Sequence, residues 1–269
     1  MKHKTTRPNN SIFLSVSILL CAVFISFGVV YASGGFNVMY RGLTSLFPKF
    51  PNYQKIQDIS DYSSAETVLP NQPKLSYASN VKYIIVESSD FDCSNCASFH
   101  GYKSTDGNSS YKKLKRDYIE TGLVDYIFTD QQFLRGPEKH IAAYCAAEQS
   151  SSAFFEYKEQ LYINYDQNFD LAKALNYANS LRLDGNKFQE CFNSKKYQDR
   201  VKGLSQFNSS VLQASSTPTF TIMKVEDKEV VKPDGSREVR RFYTKVDQIV
   251  GNANYELTIK PKLDEILEL

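Results

Sequence analysis

The sequence predicts one α/β domain of about 195 residues with a block of helices inserted in it, a normal size for a single core. Three observations predict it. Runs rich in β-branched and aromatic residues stand at 81–86, 123–133, 218–225 and 237–251. Between the second and third run, residues 136–213 place apolar side chains at helical spacing almost throughout. No internal repeat or low-complexity tract disturbs the order strand, helix, strand, helices, two strands, helix.

The chain begins "MKHKTTRPNN", with Lys2, Lys4 and Arg7 and no acid, and residues 11–40 contain no Asp, Glu, Lys, Arg or His. An apolar stretch of about 20 residues suffices to cross a bilayer as a helix. Basic residues ahead of it fit a cleaved signal peptide or an uncleaved anchor with a cytoplasmic N-terminus. "VYAS" offers small residues for cleavage after Ala32, yet the run exceeds the usual apolar segment of a signal peptide, roughly 7–15 residues. Either way the remainder is expected to be exported, with residues 1–32 as signal or anchor. Removing Lys2, Lys4 and Arg7 from the 32 basic residues leaves 29 against 30 acidic ones, net −1. That balance carries no nucleic-acid footprint.

Residues 33–74 show no sustained period and hold several Pro and Asn, so a linker or N-terminal extension is expected, with one amphipathic piece around "NVMYRGLTSLF". The domain is then placed at 75–269. "VKYIIVE" reads as a buried strand, and a helix after Cys93 should break at "GYKSTDGNSS". "SYKKLKRDYIETG" follows as a helix with a Gly stop, then "LVDYIFTDQQF" as a strand. In the helical block, Pro137 opens "PEKHIAAYCAAEQ" and serines are expected to cap "SSAFFEYKEQLYINY". "FDLAKALNYANSLRL" repeats the pattern, and "NKFQECFNSKKYQDRVKGLSQF" reads as one long helical stretch. Pro218 opens the strand "PTFTIMKV", and "KPDGS" turns the chain into "REVRRFYTKVDQIVG". "YELTIKPKLDEILEL" closes as a helix that Pro261 kinks or splits.

Of five cysteines, Cys21 lies in the apolar run, which leaves Cys93, Cys96, Cys145 and Cys191. An even count in an oxidising compartment favours disulfides over metal ligation. The pair in "DCSNCASFH" has three readings: metal ligation, a structural disulfide, or thiol exchange. Zinc needs two further ligands, and Cys145 and Cys191 are not spaced as a second Cys-x-x-Cys. A structural loop this tight constrains little of the unfolded chain. Exchange suits a Cys at a helix start, where backbone N–H groups and the helix dipole favour thiolate. An exposed, low-pKa nucleophile at Cys93 and a shielded thiol at Cys96, one turn further in, are therefore expected. Cys145 and Cys191 both sit among apolar neighbours at helical spacing. They are predicted to face one interior and to pair if their Cα atoms come within about 4.4–6.8 Å. Two unlinked core cysteines are the alternative.

With these residues identified, the chain resembles the DsbA-like thiol-disulfide oxidoreductases of the bacterial envelope over about residues 75–269. "IIVESSDFDCSNCASFH" is similar to their active-site strand and loop, and "HIAAYCAAEQ" with "SSAFFEYKEQLY" to their helical insertion. "STPTFTI" is similar to their cis-proline loop, and "VDQIVGNANYELTIKPKLDEIL" to their last strand and helix. The resemblance implies a thioredoxin-like fold with an inserted helical subdomain. It implies Cys93 and Cys96 as the redox pair, and a cis Pro218 packed on their loop with the Thr217 backbone turned toward substrate. It further implies a monomer in the periplasm, or tethered to the inner membrane, with no metal or other cofactor. The expected substrates are exported proteins with free thiols, and a membrane partner, quinone-linked by analogy, reoxidises the pair. Substrate thiolate would attack the disulfide, form a mixed disulfide at Cys93 and be resolved by Cys96. A reductase or isomerase, or a non-catalytic binding module of the same fold, are the alternatives.

Two departures stand out. Many relatives have Pro and then His or Tyr between the cysteines, where this chain has Ser94 and Asn95, so oxidising strength does not carry over. Trp is absent altogether. Glu87, six residues before Cys93, falls where the family often keeps an acid beneath the disulfide. It is expected to be buried with a raised pKa and to relay the Cys96 proton, the alternative being a solvent-facing Glu. His100, four residues after Cys96, shares its helix face and is either a modulator of the thiols or a hydrogen-bonded structural His. His140 shows only helix-surface composition.

Overall fold

The computed structural model describes residues 51–53, 56–104, 107–251 and 253–269. The apolar run at 11–31 and the amphipathic piece at 37–47 lie outside them. Among the described residues, no helix is long and apolar enough to cross a membrane.

Six strands form one sheet: β1 (Asn52–Tyr53), β2 (Lys74–Ser76), β3 (Tyr83–Ser89), β4 (Asp125–Asp130), β5 (Thr219–Val231) and β6 (Arg237–Val250). Their spatial order is β1-β2-β4-β3-β5-β6. The α-helices are α1 (Ala65–Val68), α2 (Ser94–His100), α3 (Ser110–Leu114), α4 (Glu138–Ala147), α5 (Ala153–Ile163), α6 (Leu171–Ser180), α7 (Gly185–Ser194), α8 (Gln198–Phe207) and α9 (Lys260–Leu267). Thus α4 to α8 form the insertion between β4 and β5.

The central pair β3 and β4 is parallel, and every other pairing is antiparallel. A parallel pair needs a crossover, which α2 and α3 supply. Both strands are buried along nearly their whole length, which explains why "YIIV" and "YIF" read as unbroken apolar runs instead of alternating ones. β5 and β6 make a long hairpin. Its turn closes through Lys232 N–H to Ser236 C=O at 2.8 Å, with Gly235 at φ 82°. Since L residues with a side chain rarely adopt that φ, "PDGS" is a turn by necessity.

Ordered structure in the sheet begins well upstream of residue 75. Ala65, Val68 and Leu69 are buried against the core, and Arg200 of α8 ties the segment down. Its guanidinium donates to Gln57 C=O and Asn71 C=O, both at 2.6 Å. A Cβ on Gly203, one turn further along α8, would lie 2.5 Å from the Tyr62 ring, so only Gly permits this approach. Strands of two and three residues are too short to show a period, which hid them in the sequence.

Two local expectations change. The long stretch at 186–207 divides into α7 and α8, because Lys195 adopts the left-handed conformation at φ 54° and ends the first helix. Ser152 stands at the start of α5 but makes no side-chain cap; the side-chain caps fall instead to Asp170 for α6 and Asp184 for α7. The C-terminal segment opens with a turn of π-helix at Tyr255–Ile259, and Pro261 lies in the first turn of α9, where its missing N–H costs nothing.

Cys145 of α4 and Cys191 of α7 form a disulfide with Cα atoms 5.7 Å apart, 46 residues distant in sequence. Closing a loop of that length stabilises the fold by about 4 kcal/mol in the chain-entropy model. The double variant Cys145→Ala, Cys191→Ala is expected to melt roughly 8–16 °C lower in thermal denaturation while retaining thiol-exchange activity.

Candidate active site

β3 ends at Ser89, and the next four residues turn into α2. Asp90 organises that turn: its carboxylate accepts the Asp92 N–H at 2.8 Å and its C=O accepts the Cys93 N–H at 3.1 Å. Cys93 is the N-cap of α2, and its Sγ accepts the Cys96 N–H at 3.4 Å. The antiparallel register sets Thr219 of β5 against Ser88, so the residues just before β5 fall beside the cysteine loop. There the Thr217–Pro218 peptide is cis, and the Cys93 thiol donates to Thr217 C=O at 3.4 Å.

Cys93 and Cys96 are free thiols in this structure. Cys96 is fully buried, as the spacing predicts, but Cys93 is only 6% exposed. This differs from the open nucleophile expected at a helix start. Ser94 and Asn95 take the exposed positions instead, and the Thr217–Pro218 loop covers the sulfur.

The two thiols are strongly unequal. A hydrogen bond from the Cys96 thiol lowers the Cys93 pKa to about 6, against burial, with help from the Thr217 side chain and the N–H groups of Cys96 and Asn95. Cys96 moves the other way. Burial, its donation to Cys93 and the Cys93 charge hold it well above an ordinary thiol, offset in part by a hydrogen bond with Ser89.

Beneath α2 lies a cluster of buried charge. His100 Nε2 sits 3.0 Å from Glu87 Oε1, and His100 Nδ1 is 3.3 Å from Glu159 Oε1. The Tyr126 hydroxyl donates to Glu87. Lys158 Nζ, fully buried on α5, lies 3.3 Å from Glu159, donates to the Tyr126 hydroxyl at 3.3 Å and stands 4.2 Å from the centre of the Tyr111 ring. The His100 ring stacks on Tyr162 at 4.3 Å and 4°. His100 is thus a hydrogen-bonded member of a packed network.

Glu87 departs from expectation. It is buried, but its pKa is lowered to about 2 instead of raised. Burial pushes it up, yet the His100 charge and hydrogen bond, the Lys158 charge and the Tyr126 hydroxyl outweigh burial. The raised pKa expected of Glu87 is thus corrected to a lowered one, and its carboxylate is bonded to His100 and Tyr126. Sequence reading missed Lys158 because it looks like helix surface. The signal was its phase: it lies four residues after Phe154 and four before Tyr162, on the buried stripe of α5.

A second buried cluster anchors the turn from above. His140 is not on a helix surface; it is fully buried, with Nδ1 2.6 Å from Asp130 Oδ1 and Nε2 3.6 Å from Asp90 Oδ1. Burial lowers its pKa, but the charges and hydrogen bonds of Asp130 and Asp90 prevail and hold it up to about 9. The other oxygen of Asp90 accepts the N–H groups of Phe133 and Leu134 at 2.8 and 3.1 Å. One carboxylate thereby ties the Cys93 turn to the loop that leads into the insertion. Lys139, also buried, adds a bond to Asp92 at 2.6 Å and one to Phe91 C=O at 3.3 Å.

A family model described as Thioredoxin matches residues 78–242, more than half of the chain, from β3 into the first part of β6. The chain belongs to the thioredoxin family. Among solved structures, α-DsbA1 of Wolbachia pipientis is 21% identical with a TM-score of 0.56, over 74% of this chain and 92% of that one. DsbA of Chlamydia trachomatis is 13% identical with a TM-score of 0.56, over 79% and 95%. Oxidised BdbD of Bacillus subtilis is 19% identical with a TM-score of 0.54, over 78% and 100%. These likenesses give the chain the DsbA-like thioredoxin fold, in which helices are inserted between strands. No curated protein matches it in sequence.

Within this thioredoxin fold, three outcomes are expected. Alkylation of Cys93 in the reduced protein should have its midpoint at about pH 6, and Cys96→Ala should raise it, because the largest cause of the low pKa is then lost. The folded value lies below the ordinary thiol value of 9.0, so the reduced fold gains stability as pH rises from 6 to 9 and loses it as pH falls through 6. The gain is missing from the oxidised protein and shows as a pH-dependent gap between the denaturation midpoints of the two forms. For the lower cluster, Lys158→Met leaves Glu87 and Glu159 short of a buried countercharge and should cost about 3–5 kcal/mol in denaturant unfolding.

Proposed function

We propose that the chain promotes disulfide formation in exported proteins, with Cys93 as the sulfur that meets substrate and Cys96 as its buried partner. The observation that carries this reading is the placement of Cys93 at the start of α2, its sulfur against the cis Thr217–Pro218 loop and accepting the N–H of the fully buried Cys96. A sulfur with a low pKa leaves readily, and a pair whose reduced form is stabilised tends to oxidise others.

In the oxidised pair, a substrate thiolate attacks Cys93 Sγ, the Cys93–Cys96 bond breaks and Cys96 departs as a thiolate. A second substrate thiolate then attacks the substrate sulfur of the mixed disulfide, forming the substrate's own disulfide and releasing the Cys93 thiolate. Two electrons pass from the substrate dithiol to the pair. Cys96 resolves a mixed disulfide only when the reaction runs in reverse, which refines the expectation drawn from the sequence. The Thr217 C=O accepts the Cys93 thiol at 3.4 Å, which supports a role for the Thr217 backbone in pairing with an extended substrate segment entering at the sulfur.

Export, by signal or anchor, rests on residues 1–40, and reoxidation by a membrane partner completes the cycle. Metal chemistry gains nothing from the other cysteines. Cys145, Glu148 and Cys191 are grouped, but both sulfurs are consumed in the disulfide.

Insulin reduction and oxidative refolding of a reduced thiol protein test the reading. Cys93→Ser is expected to abolish both, and Cys96→Ala to accumulate a mixed disulfide at Cys93. Undiminished activity in Cys93→Ser would contradict the role given to Cys93, and no activity in the wild-type chain would leave only a binding module of this fold.

A further inference from the structure

Asp90 and His140 are both fully buried, and the reaction as written above uses neither. Asp90 Oδ1 accepts the Asp92 N–H at 2.8 Å, and the Asp90 C=O accepts the Cys93 N–H at 3.1 Å. These two bonds close residues 90–93 into the turn that makes Cys93 the N-cap of α2. Asp90 Oδ2 accepts the N–H groups of Phe133 and Leu134 at 2.8 and 3.1 Å. Three N–H donors leave a carboxylate charged, and a buried charge is costly unless an opposite charge stands beside it. His140 brings that charge from α4. Its Nε2 lies 3.6 Å from Asp90 Oδ1, the distance of an ion pair, and its Nδ1 lies 2.6 Å from Asp130 Oδ1. A neutral imidazole has one N–H for two carboxylates, whereas the imidazolium has one for each. Asp130 is held in turn by the Tyr144 hydroxyl and by Asn208, just past α8, whose amide donates to Asp130 C=O at 2.8 Å.

We propose that Asp90 and His140 are positioning residues for the redox pair: the His140 charge holds the Asp90 carboxylate in the turn, and the turn sets Cys93 Sγ between the Cys96 N–H and the Thr217 C=O. This rests on the reading of Cys93 and Cys96 as the redox pair. Both contacts of the sulfur, at 3.4 Å each, depend on where the Cys93 backbone stands, and the turn fixes that backbone. Displacing a reacting group by about 1 Å can cost a hundred-fold in rate. The groups that face the imidazole are Asp130 at the end of β4, Asp90 in the turn after β3 and the Phe91 ring, 4.7 Å away. Lys139, its neighbour on α4, pairs instead with Asp92 at 2.6 Å. Two cations of the same helix therefore brace the turn that carries Cys93. Through them the inserted helices act on the reactivity of a cysteine that belongs to the thioredoxin-like part of the chain.

The test compares the full chain with Asp90→Ala, Asp90→Asn, His140→Phe and His140→Gln. The double variant Cys145→Ala, Cys191→Ala, which loses stability away from the turn, is the control. Oxidised protein is mixed with a cysteine-containing peptide, and formation of the mixed disulfide is followed by rapid quench. In the reduced protein the pH midpoint of Cys93 alkylation is read. Asp90→Ala and His140→Phe are expected to slow mixed-disulfide formation roughly ten- to a hundred-fold and to raise the alkylation midpoint. Asp90→Asn keeps one acceptor oxygen and His140→Gln can still donate to one carboxylate, so both should fall between these variants and the wild type. The control should keep the wild-type rate and midpoint at its lower melting temperature. Wild-type rate and midpoint in Asp90→Ala or His140→Phe, whatever their melting temperatures, overturn the inference. Equal slowing in the control also overturns it, because the effect then belongs to lost stability. Should Asp90→Ala and His140→Phe not fold, wild-type values in Asp90→Asn and His140→Gln overturn it. If the wild-type chain itself forms no mixed disulfide, the proposed function falls and this inference falls with it.

Discussion

A sulfur that holds negative charge at the edge of a packed core needs its donors in place before it ionises. Cys93 has them from two segments of chain: the thiol and N–H of Cys96 and the N–H of Asn95 from one, the side chain of Thr217 from the other. Three of these exist because α2 begins at Cys93, and it begins there because Asp90 closes the preceding turn. The fourth depends on the register between β3 and β5, which brings the segment before Thr219 alongside. The sheet and the site are therefore one construction. A slip of one residue between β3 and β5 would turn every side chain of β5 to the wrong face and carry Thr217 away from the sulfur.

The cost of this arrangement lies beneath it. Glu87, Lys158 and His100 are removed from water, which costs several kcal/mol per ion unless attraction and hydrogen bonds offset it. Apolar residues of similar volume would serve stability at least as well. What the ions add is placement. Glu87 fixes His100 on α2, Glu159 and Lys158 come from α5, and Tyr162 of the same helix reaches Ser89 below Cys96. The inserted subdomain is thereby keyed to the redox loop through α5, while Asp130, His140 and Asp90 key it through α4. The disulfide between Cys145 and Cys191 holds α4 to α7, so the keyed helices are stapled to the rest of the insertion.

What the sequence discloses follows from how local each feature is. "YIIV" and "CSNC" are legible because strand burial and helix-start chemistry are written into adjacent residues. The Cys145–Cys191 pairing is legible because both cysteines sit among apolar neighbours at helical spacing. The low pKa of Glu87 is not legible, since its partners lie 13, 39 and 71 residues away and only the fold assembles them. His140 hides for the same reason, with Asp90 fifty residues upstream on another element. Lys195 breaks its helix in a conformation that its residue type does not advertise, and β1 and β2 are too short for any period.

The central claim is that this geometry stabilises the reduced pair through the Cys93 thiolate. The reduction potential of Cys93–Cys96, measured by equilibration with glutathione, tests it most directly. Thioredoxin, with a thiol pKa of about 7, stands at about −270 mV, and a strong oxidant with a pKa of about 3.5 stands at about −120 mV. With Cys93 at about 6, the account predicts a potential between these values, on the oxidising side of thioredoxin. A value at or below about −270 mV would contradict it.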